Sequence, residues 1–334
     1  MGRAISSAMA TARFPILYFA PSELEDAVFA SGLLATLLDE VPHASFTIVA
    51  SAPVAALLRD TPRLERMILS PGPGRLAAFK VWRELQPRKW GLILDLQGFP
   101  LGRSLRARQR VGPPAAAGGE HKVVQAARLL KLEASPPAPR IFVGEETARR
   151  AEQLAGGRGP IVALAPGARW LGAAWPAENF ARAASALSSA APLAGARILV
   201  AGGEADRVAA RSVQKSLSKA RCIDLTGHDD PLLVYAALGH ASVCLGNAAW
   251  PTYLAAAAGV PTIGLFGPHD EAVERPWGRW ARAVRGPRTA QEIRRNDPTL
   301  SQPVCHMLDL PVETAVDRAR RLLKEASLAQ GAPA

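Results

Sequence analysis

The sequence predicts two doubly wound α/β domains, and three observations carry that prediction. At 334 residues the chain exceeds what one hydrophobic core usually supports. Apolar runs of strand length alternate with helical patterns from one end to the other, as parallel sheets with helices on both faces require. The third observation is a βαβ unit: an apolar strand ending in Leu245-Gly246-Asn247, an alanine-rich helix closed by Gly259, and a second buried strand ending in Phe266-Gly267-Pro268. In such a unit ligands sit outside the carboxyl ends of the strands, where amides at a helix start can meet an anion.

In chain order, Pro15 to Phe19 reads as a strand and Asp26 to Leu38 as a helix. Ser45 to Ala50 is a strand, Pro53 to Arg59 a short helix, Arg66 to Leu69 a strand, Leu76 to Leu85 a helix and Gly91 to Leu96 a strand. Pro136-Pro137-Ala138-Pro139 is a stiff segment after which the composition resets, and the glycines at 156, 157 and 159 with Pro160 mark the expected domain boundary. Domains are therefore expected at 1–158 and 159–310, with 311–334 a helix and tail that packs back on the first domain. The second half opens with strand Ile161 to Ala165, then helix Ala177 to Ser188, strand Arg197 to Ala201, helix Ala205 to Leu217 and strand Cys222 to Asp224. The βαβ unit follows, and Val312 to Lys324 reads as a final amphipathic helix.

Composition narrows the class. A hydrophobic content of 49% with 21% charged residues fits a soluble globular chain. The net charge of +11 is uneven, because Arg75 to Lys131 holds 12 basic and 3 acidic residues. Such a field attracts anionic partners in general, whether nucleic acid, anionic lipid or sugar phosphate, and a solvated surface explains it equally well. The three cysteines, Cys222, Cys244 and Cys305, are odd in number and far apart, which excludes a disulfide framework or a metal cluster and suits a reducing, cytoplasmic compartment. The N-terminus carries Arg3 and Arg13, but its apolar run is short and broken by Pro15, which suits a buried strand better than a signal peptide. No stretch reads as a membrane span. No G-x-G-x-x-G follows the first strand, which argues against a dehydrogenase, and the basic residues accompany no motif that reads nucleic acid. Alternation alone still permits a dehydrogenase, a binding protein or a kinase.

Several motifs resemble those of glycosyltransferase family 9, the heptosyltransferases of lipopolysaccharide core assembly. Ser22-Glu23-Leu24-Glu25-Asp26 and the apolar helix after it resemble that family's S-x-L-G-D opening, whose Asp is taken as the base for the acceptor hydroxyl. The resemblance puts Asp26 in that role, with Glu25 in place of the family's glycine; a carboxylate in a first helical turn is also an ordinary capping choice. Leu94-Asp95-Leu96-Gln97-Gly98 is similar to the family's D-L-Q-G strand end, and Arg110-Val111-Gly112 to its R-x-G. On this acceptor side the resemblance points to Ser22, Glu25, Gln97 and Arg103.

In the second half, Pro166-Gly167-Ala168-Arg169 and Trp175-Pro176 resemble P-G-(S/A)-R…K-x-W-P, a phosphate-cradling turn, with Ala173 and Ala174 where a lysine is usual. Gly202-Gly203-Glu204 is similar to G-(G/A)-x-x-(D/E), in which the acid accepts ribose hydroxyls, a role given to Glu204. Asp224-Leu225-Thr226-Gly227 matches D-L-T-G, and Cys305-His306-Met307-Leu308 echoes the family's closing segment. The resemblance implies a GT-B fold, two Rossmann-like domains facing a central cleft. It also implies an inverting, metal-free and cofactor-free transfer from a nucleotide-sugar, an ADP-sugar among the options, to an anionic cell-envelope glycolipid. Donor contacts are expected from Gly167, Ala168, Arg169, Gly203, Glu204, Thr226, Gly227, Asn247, Ala248, Ala249 and Tyr253. Ala248, Ala249, Trp250 and Tyr253 stand where the family usually has Asp, Ser or Thr, Gly and His. These departures, with Trp82 and Trp90 flanking Arg83, Arg88 and Lys89, support a second reading. It is a non-catalytic relative that binds a glycan, anionic lipid or protein partner at the inner membrane face.

Overall fold

The computed structural model describes residues 13–70, 75–113, 118–217 and 222–331; Arg3 lies outside them. The chain divides into two compact units, Met1–Phe142 and Val143–Ala334. The first holds a parallel sheet of five strands in the order β3-β2-β1-β4-β5: β1 Phe14–Phe19, β2 Ala44–Ala50, β3 Leu64–Leu69, β4 Trp90–Asp95 and β5 Ala107–Val111. β1 pairs in register with β2 on one side, Ile16 opposite Phe46, and with β4 on the other, Ile16 opposite Leu92. The sequence ASFTIVA of β2 is buried along its whole length, as a strand covered on both faces must be. The outer strands differ: LERMIL and ARQRV place charged side chains in water, a protection of the sheet edge.

The second unit holds a six-stranded parallel sheet in the order β11-β10-β9-β6-β7-β8. Its strands are β6 Ile161–Ala165, β7 Arg197–Gly202, β8 Cys222–Thr226, β9 Val243–Asn247, β10 Thr262–Phe266 and β11 Ala281–Arg285. β6, β9 and β10 are wholly buried, and apolar residues fill them apart from Asn247 and Thr262. The helix Ala177–Ser188 and the last helix, Val312–Gly331, cover one face. The last helix does so through Val312, Ala315, Val316, Ala319, Leu322 and Ala326, which recur at helical spacing and sit in the core of this unit.

The unit boundary, after Phe142, falls sixteen residues before the expected one after residue 158. The proline segment docks on the Leu24–Glu40 helix: a Cβ on Gly32 would lie 2.6 Å from the Pro137 carbonyl oxygen, and the Arg140 N–H donates to Ser31 Oγ at 3.0 Å. The Glu145–Ala155 helix instead packs on the Pro231–Leu238 helix of the second unit, with Arg150 3.5 Å from Asp230. The glycines at 156, 157 and 159 thus turn the chain from a helix into β6 within one unit. The last helix packs on the second unit, where the sequence reading had it returning to the first.

Candidate functional site

In a doubly wound sheet the strand order reverses at one place, and the crevice there, beyond the carboxyl strand ends, receives ligands. In the first unit that place lies between β1 and β4. Ser22 follows β1 and Gln97 follows β4, and the Gln97 amide joins them, donating to Ser22 Oγ at 2.7 Å and to Ser70 Oγ at 3.3 Å. Asp95 is the support beneath: its carboxylate accepts the N–H groups of Gln97, Gly98 and Phe99 at 2.8–3.2 Å. Burial pushes its carboxyl up, against the pull of those three amides. Asp26 and Glu25 lie in the first turn of the helix after β1, half-buried. The Lys122 ammonium sits 2.7 Å from Asp26 Oδ1 and 5.9 Å from the Phe29 ring. Sequence reasoning missed Lys122, which lies 96 positions from Asp26. His121, at the helix cap beside it, meets the Phe29 ring edge-on at 5.5 Å. Arg103 is exposed on the short turn Gly102–Ser104.

In the second unit the reversal lies between β6 and β9, with β7 next to β6. Gly167 after β6 is there because nothing larger fits: a Cβ would lie 2.2 Å from the Asp206 carboxyl carbon. Asp206 Oδ2 accepts the Gly203 N–H at 2.8 Å, so one carboxylate spans the ends of β6 and β7. Burial raises its pKa, against the Gly203 amide. Glu204 is exposed and pairs with Arg207 at 2.7 Å. The motif G-(G/A)-x-x-(D/E), counted from Gly202, arrives at Asp206. The spacing of the motif thus points to Asp206 as well as to Glu204.

Arg207 was also missed. Its guanidinium lies over Gly227, whose φ of +75° is one that glycine adopts freely and where a Cβ would fall 2.3 Å from Arg207 Nε. Thr226 is tied by its N–H and hydroxyl to Asp224 Oδ1 at 2.8 and 2.6 Å. Burial works to raise the Asp224 carboxyl, but the Thr226 bonds and Arg207 hold it below the usual range.

The turn after β9 is apolar. Asn247 is fully buried; its Oδ1 accepts the Trp175 N–H at 3.1 Å and its Nδ2 donates to the Pro166 carbonyl at 2.9 Å. Ala248 and Ala249 follow, then Trp250, whose Cζ2 is 4.0 Å from where a Cβ on Gly203 would stand. Pro251 removes one amide from the helix start, and the Thr252 N–H is turned back to Ala249 O at 3.0 Å. Tyr253 is buried one turn further on, at 2% exposure. The positions expected to carry the lysine, Ala173 and Ala174, belong to a loop pinned from behind. The His306 N–H donates to Gly172 O at 3.0 Å, the Cys305 thiol reaches Ala174 O at 3.1 Å, and the His306 ring lies edge-on to Trp170 at 5.7 Å. His306 Nε2 in turn lies 3.2 Å from Asp297 Oδ2, both buried, so this histidine is a latch between loops. Among the described residues no group of three His, Cys, Asp or Glu side chains is placed to hold a metal.

Three arginines after β10 are engaged within the second unit itself. Arg285 binds Glu271 and donates to Gly267 O and His269 O at 2.6 and 2.7 Å, fixing the loop that follows β10. Arg282 pairs with Glu325 at 2.9 Å, and Arg279 lies over the Trp280 ring at 4.7 Å. Beyond the ends of β6 and β7 the cations include Arg169, exposed, and Arg207, half-exposed.

Two parallel Rossmann-like sheets, each with candidate site residues gathered at its reversal point, define the GT-B class of two-domain α/β proteins. Residues 106–302, more than half the chain, match the profile of glycosyltransferase family 9 (heptosyltransferase), and the chain belongs to that family. Among solved structures it resembles a family 9 glycosyltransferase from Veillonella parvula, with a TM-score of 0.77 at 17% identity over 94% of this chain and 98% of that one. It also resembles the E. coli ADP-heptose lps heptosyltransferase II, with a TM-score of 0.74 at 18% identity over 94% and 99% of the two chains. The E. coli heptosyltransferase WaaC with ADP gives 0.65 at 16% identity over 93% and 99%. At these identities the likeness is one of fold. No curated protein matches the chain.

Proposed function

We propose that this glycosyltransferase transfers a sugar from a nucleotide-sugar to a hydroxyl of an anionic cell-envelope glycolipid, with inversion at the anomeric carbon. The observation that carries the proposal is the Asp26 carboxylate, held 2.7 Å from the Lys122 ammonium in the first helical turn after β1. In the reaction Asp26 takes the proton of the acceptor hydroxyl as its oxygen bonds to the anomeric carbon, while the bond to the nucleoside diphosphate breaks. The departing diphosphate gains negative charge, which Arg169, Arg207 and the amides of the turns after β6 and β7 are suited to meet. Asp206 is the acid suited to accept the ribose hydroxyls. An ADP-sugar donor is supported by the solved relatives described with ADP or ADP-heptose, and no step calls for a metal.

One observation favours a second reading, a relative that binds without turnover. Both ends of the Asn247 amide bond groups of the protein, Ala248 and Ala249 offer no polar side chain, and Trp250 fills space beside Gly203. A panel of nucleotide-sugars assayed for nucleoside diphosphate release separates the two. Release that rises with a lipid-linked acceptor and is lost in Asp26→Asn supports the transferase; binding of nucleotide without release from any donor supports the second reading.

A further inference from the structure

The loop that follows β6 is gripped at its two ends and along its back. At its start the Pro166 carbonyl accepts Asn247 Nδ2; at its end the Trp175 N–H donates to Asn247 Oδ1 and the Trp175 indole N–H to Leu310 O at 3.0 Å. Between these anchors Gly172 O and Ala174 O are held by the His306 N–H and the Cys305 thiol. Trp170 lies across the loop itself: a Cβ on Gly172 would fall 1.9 Å from its ring, so only glycine admits the indole there. None of these bonds runs to Gly167, Ala168 or Arg169, which stand at the strand end. Arg169 is also the one charged residue between Pro166 and Trp175, so its placement decides what charge the loop offers.

The grip on Gly172 depends on where His306 stands, and buried polar groups fix that. His306 and Asp297 are both buried, with Nε2 3.2 Å from Oδ2. Asp297 also accepts the N–H groups of Ser301 and Gln302 at 3.1 and 3.2 Å. The His306 carbonyl accepts the Arg288 guanidinium at 2.9 Å, and Arg288 is held in turn by Asp309 at 2.5 Å. The His306 ring meets Trp170 edge-on, so the imidazole links Asp297 to the indole of the loop. A buried pair of this kind adds little stability over apolar side chains of the same volume, because the loss of water offsets the attraction. What it supplies is direction: an imidazole that keeps one nitrogen on Asp297 keeps its backbone N–H on Gly172 and its ring edge on Trp170.

We propose that His306, aimed by Asp297, is a positioning residue for the donor diphosphate: through Gly172 and Trp170 it sets the loop so that Arg169 and the amides after β6 meet the terminal phosphate. The inference rests on the nucleotide-sugar reading of the second unit and adds to it a residue that touches no ligand itself. A loop with alanines at 173 and 174 has no second cation to correct a misplaced Arg169. Its geometry is therefore set from behind, by the residues between Asp297 and Leu310.

Calorimetric titration of the full-length protein with ADP and AMP, GDP and GMP, and UDP and UMP tests it, the diphosphate that binds tightest being carried forward with its monophosphate. His306→Phe keeps a ring against Trp170 but gives up the bond to Asp297, whereas His306→Gln keeps a side-chain donor for it. The expected result is that His306→Phe loses affinity for the diphosphate at least about tenfold, the worth of one charge-assisted hydrogen bond, while affinity for the monophosphate changes by less than about twofold. His306→Gln stays near the wild type for both. The ratio of the two affinities carries the test, because a partly unfolded variant loses binding of both nucleotides alike. Asp297→Asn, which keeps the shape and removes the charge, shifts the ratio in the same direction and serves if His306→Phe does not fold. A wild-type ratio in these variants overturns the proposal, whether both affinities hold or fall together, and so does His306→Gln that fails as His306→Phe does. Wild-type protein that binds none of the diphosphates overturns the nucleotide reading of the unit, and this role with it.

Discussion

Asn247 tests whether the β9 turn is built for the fold or for the ligand. Its amide is fully buried, and both ends are committed, to the Trp175 N–H at 3.1 Å and to the Pro166 carbonyl at 2.9 Å. These bonds join the strand ends of β9 and β6 at the reversal of the sheet. Asn247→Ala strands a donor and an acceptor without water, at about 1–3 kcal/mol each, so the expected loss is roughly 2–6 kcal/mol. At about 2–4 °C per kcal/mol, the melting temperature falls by roughly 4–24 °C. Asn247→Asp falls further, since a carboxylate in that place faces the Pro166 oxygen with no proton to give. Urea and thermal melts read the stability, and calorimetric titration with nucleoside diphosphate at low temperature reads the affinity of the folded variant. Affinity should stay near the wild-type value. A melting temperature within about 2 °C of wild type together with lost nucleotide binding would refute the reasoning, because the amide's partner would then be the ligand.

Four further outcomes follow from the geometry. Asp26→Asn lowers turnover by about 10²–10⁴-fold while the nucleotide-induced melting shift persists, as initial rates and thermal shifts would show. Burial holds the Asp206 carboxyl above its ordinary value, and a carboxyl raised in the folded state loses stability as pH climbs from the unfolded pKa through the folded one. Asp206→Asn therefore raises the melting temperature at pH 7, the gain shrinks toward pH 4, and nucleotide affinity falls; an unchanged melting temperature at both pH values would contradict the burial argument. Trp250→Ala clears the space beside Gly203 and should tighten nucleoside diphosphate binding in calorimetry, whereas weaker binding would make the indole a ligand contact. Gly32→Ala drives a Cβ to 2.6 Å from a backbone carbonyl oxygen and destabilises the first unit by about 1–3 kcal/mol in urea melts, with the second unit unaffected.

What the sequence discloses follows what pattern can encode. β2, β6 and β9 are buried, mostly apolar runs bounded by turn residues, and their ends are legible to within a residue or two. β5 is hidden because ARQRV at a sheet edge has no apolar run, only its backbone pairing to β4. β11, ARAVR, is hidden for the same reason on the opposite edge of the second sheet. Helix Glu145–Ala155 was lost between a proline segment and a glycine cluster, and that loss displaced the domain boundary.

For the candidate site, local motifs placed Ser22, Gln97, Gly167 and Gly203 just beyond strand ends and Asp26 in the first turn of the helix after β1, because the turns that close a strand leave their mark in adjacent residues. Lys122 leaves no such mark, since its partner lies 96 positions away and only the fold brings them together. Asn247 shows the opposite case. A conspicuous polar residue in a glycine-flanked turn reads as a ligand group, but the structure spends both ends of its amide on its own backbone.

The central claim is a nucleotide-sugar site in the second unit, and thermal shift of the purified protein against ADP, GDP, UDP, CMP and their sugar conjugates tests it most directly. A ligand at about 100 times its dissociation constant adds about 2.7 kcal/mol to the native state. The account predicts a rise in melting temperature that is selective for one nucleotide and is reduced by substitution of Asp206 or Arg169. No rise with any nucleotide at millimolar concentration would contradict it.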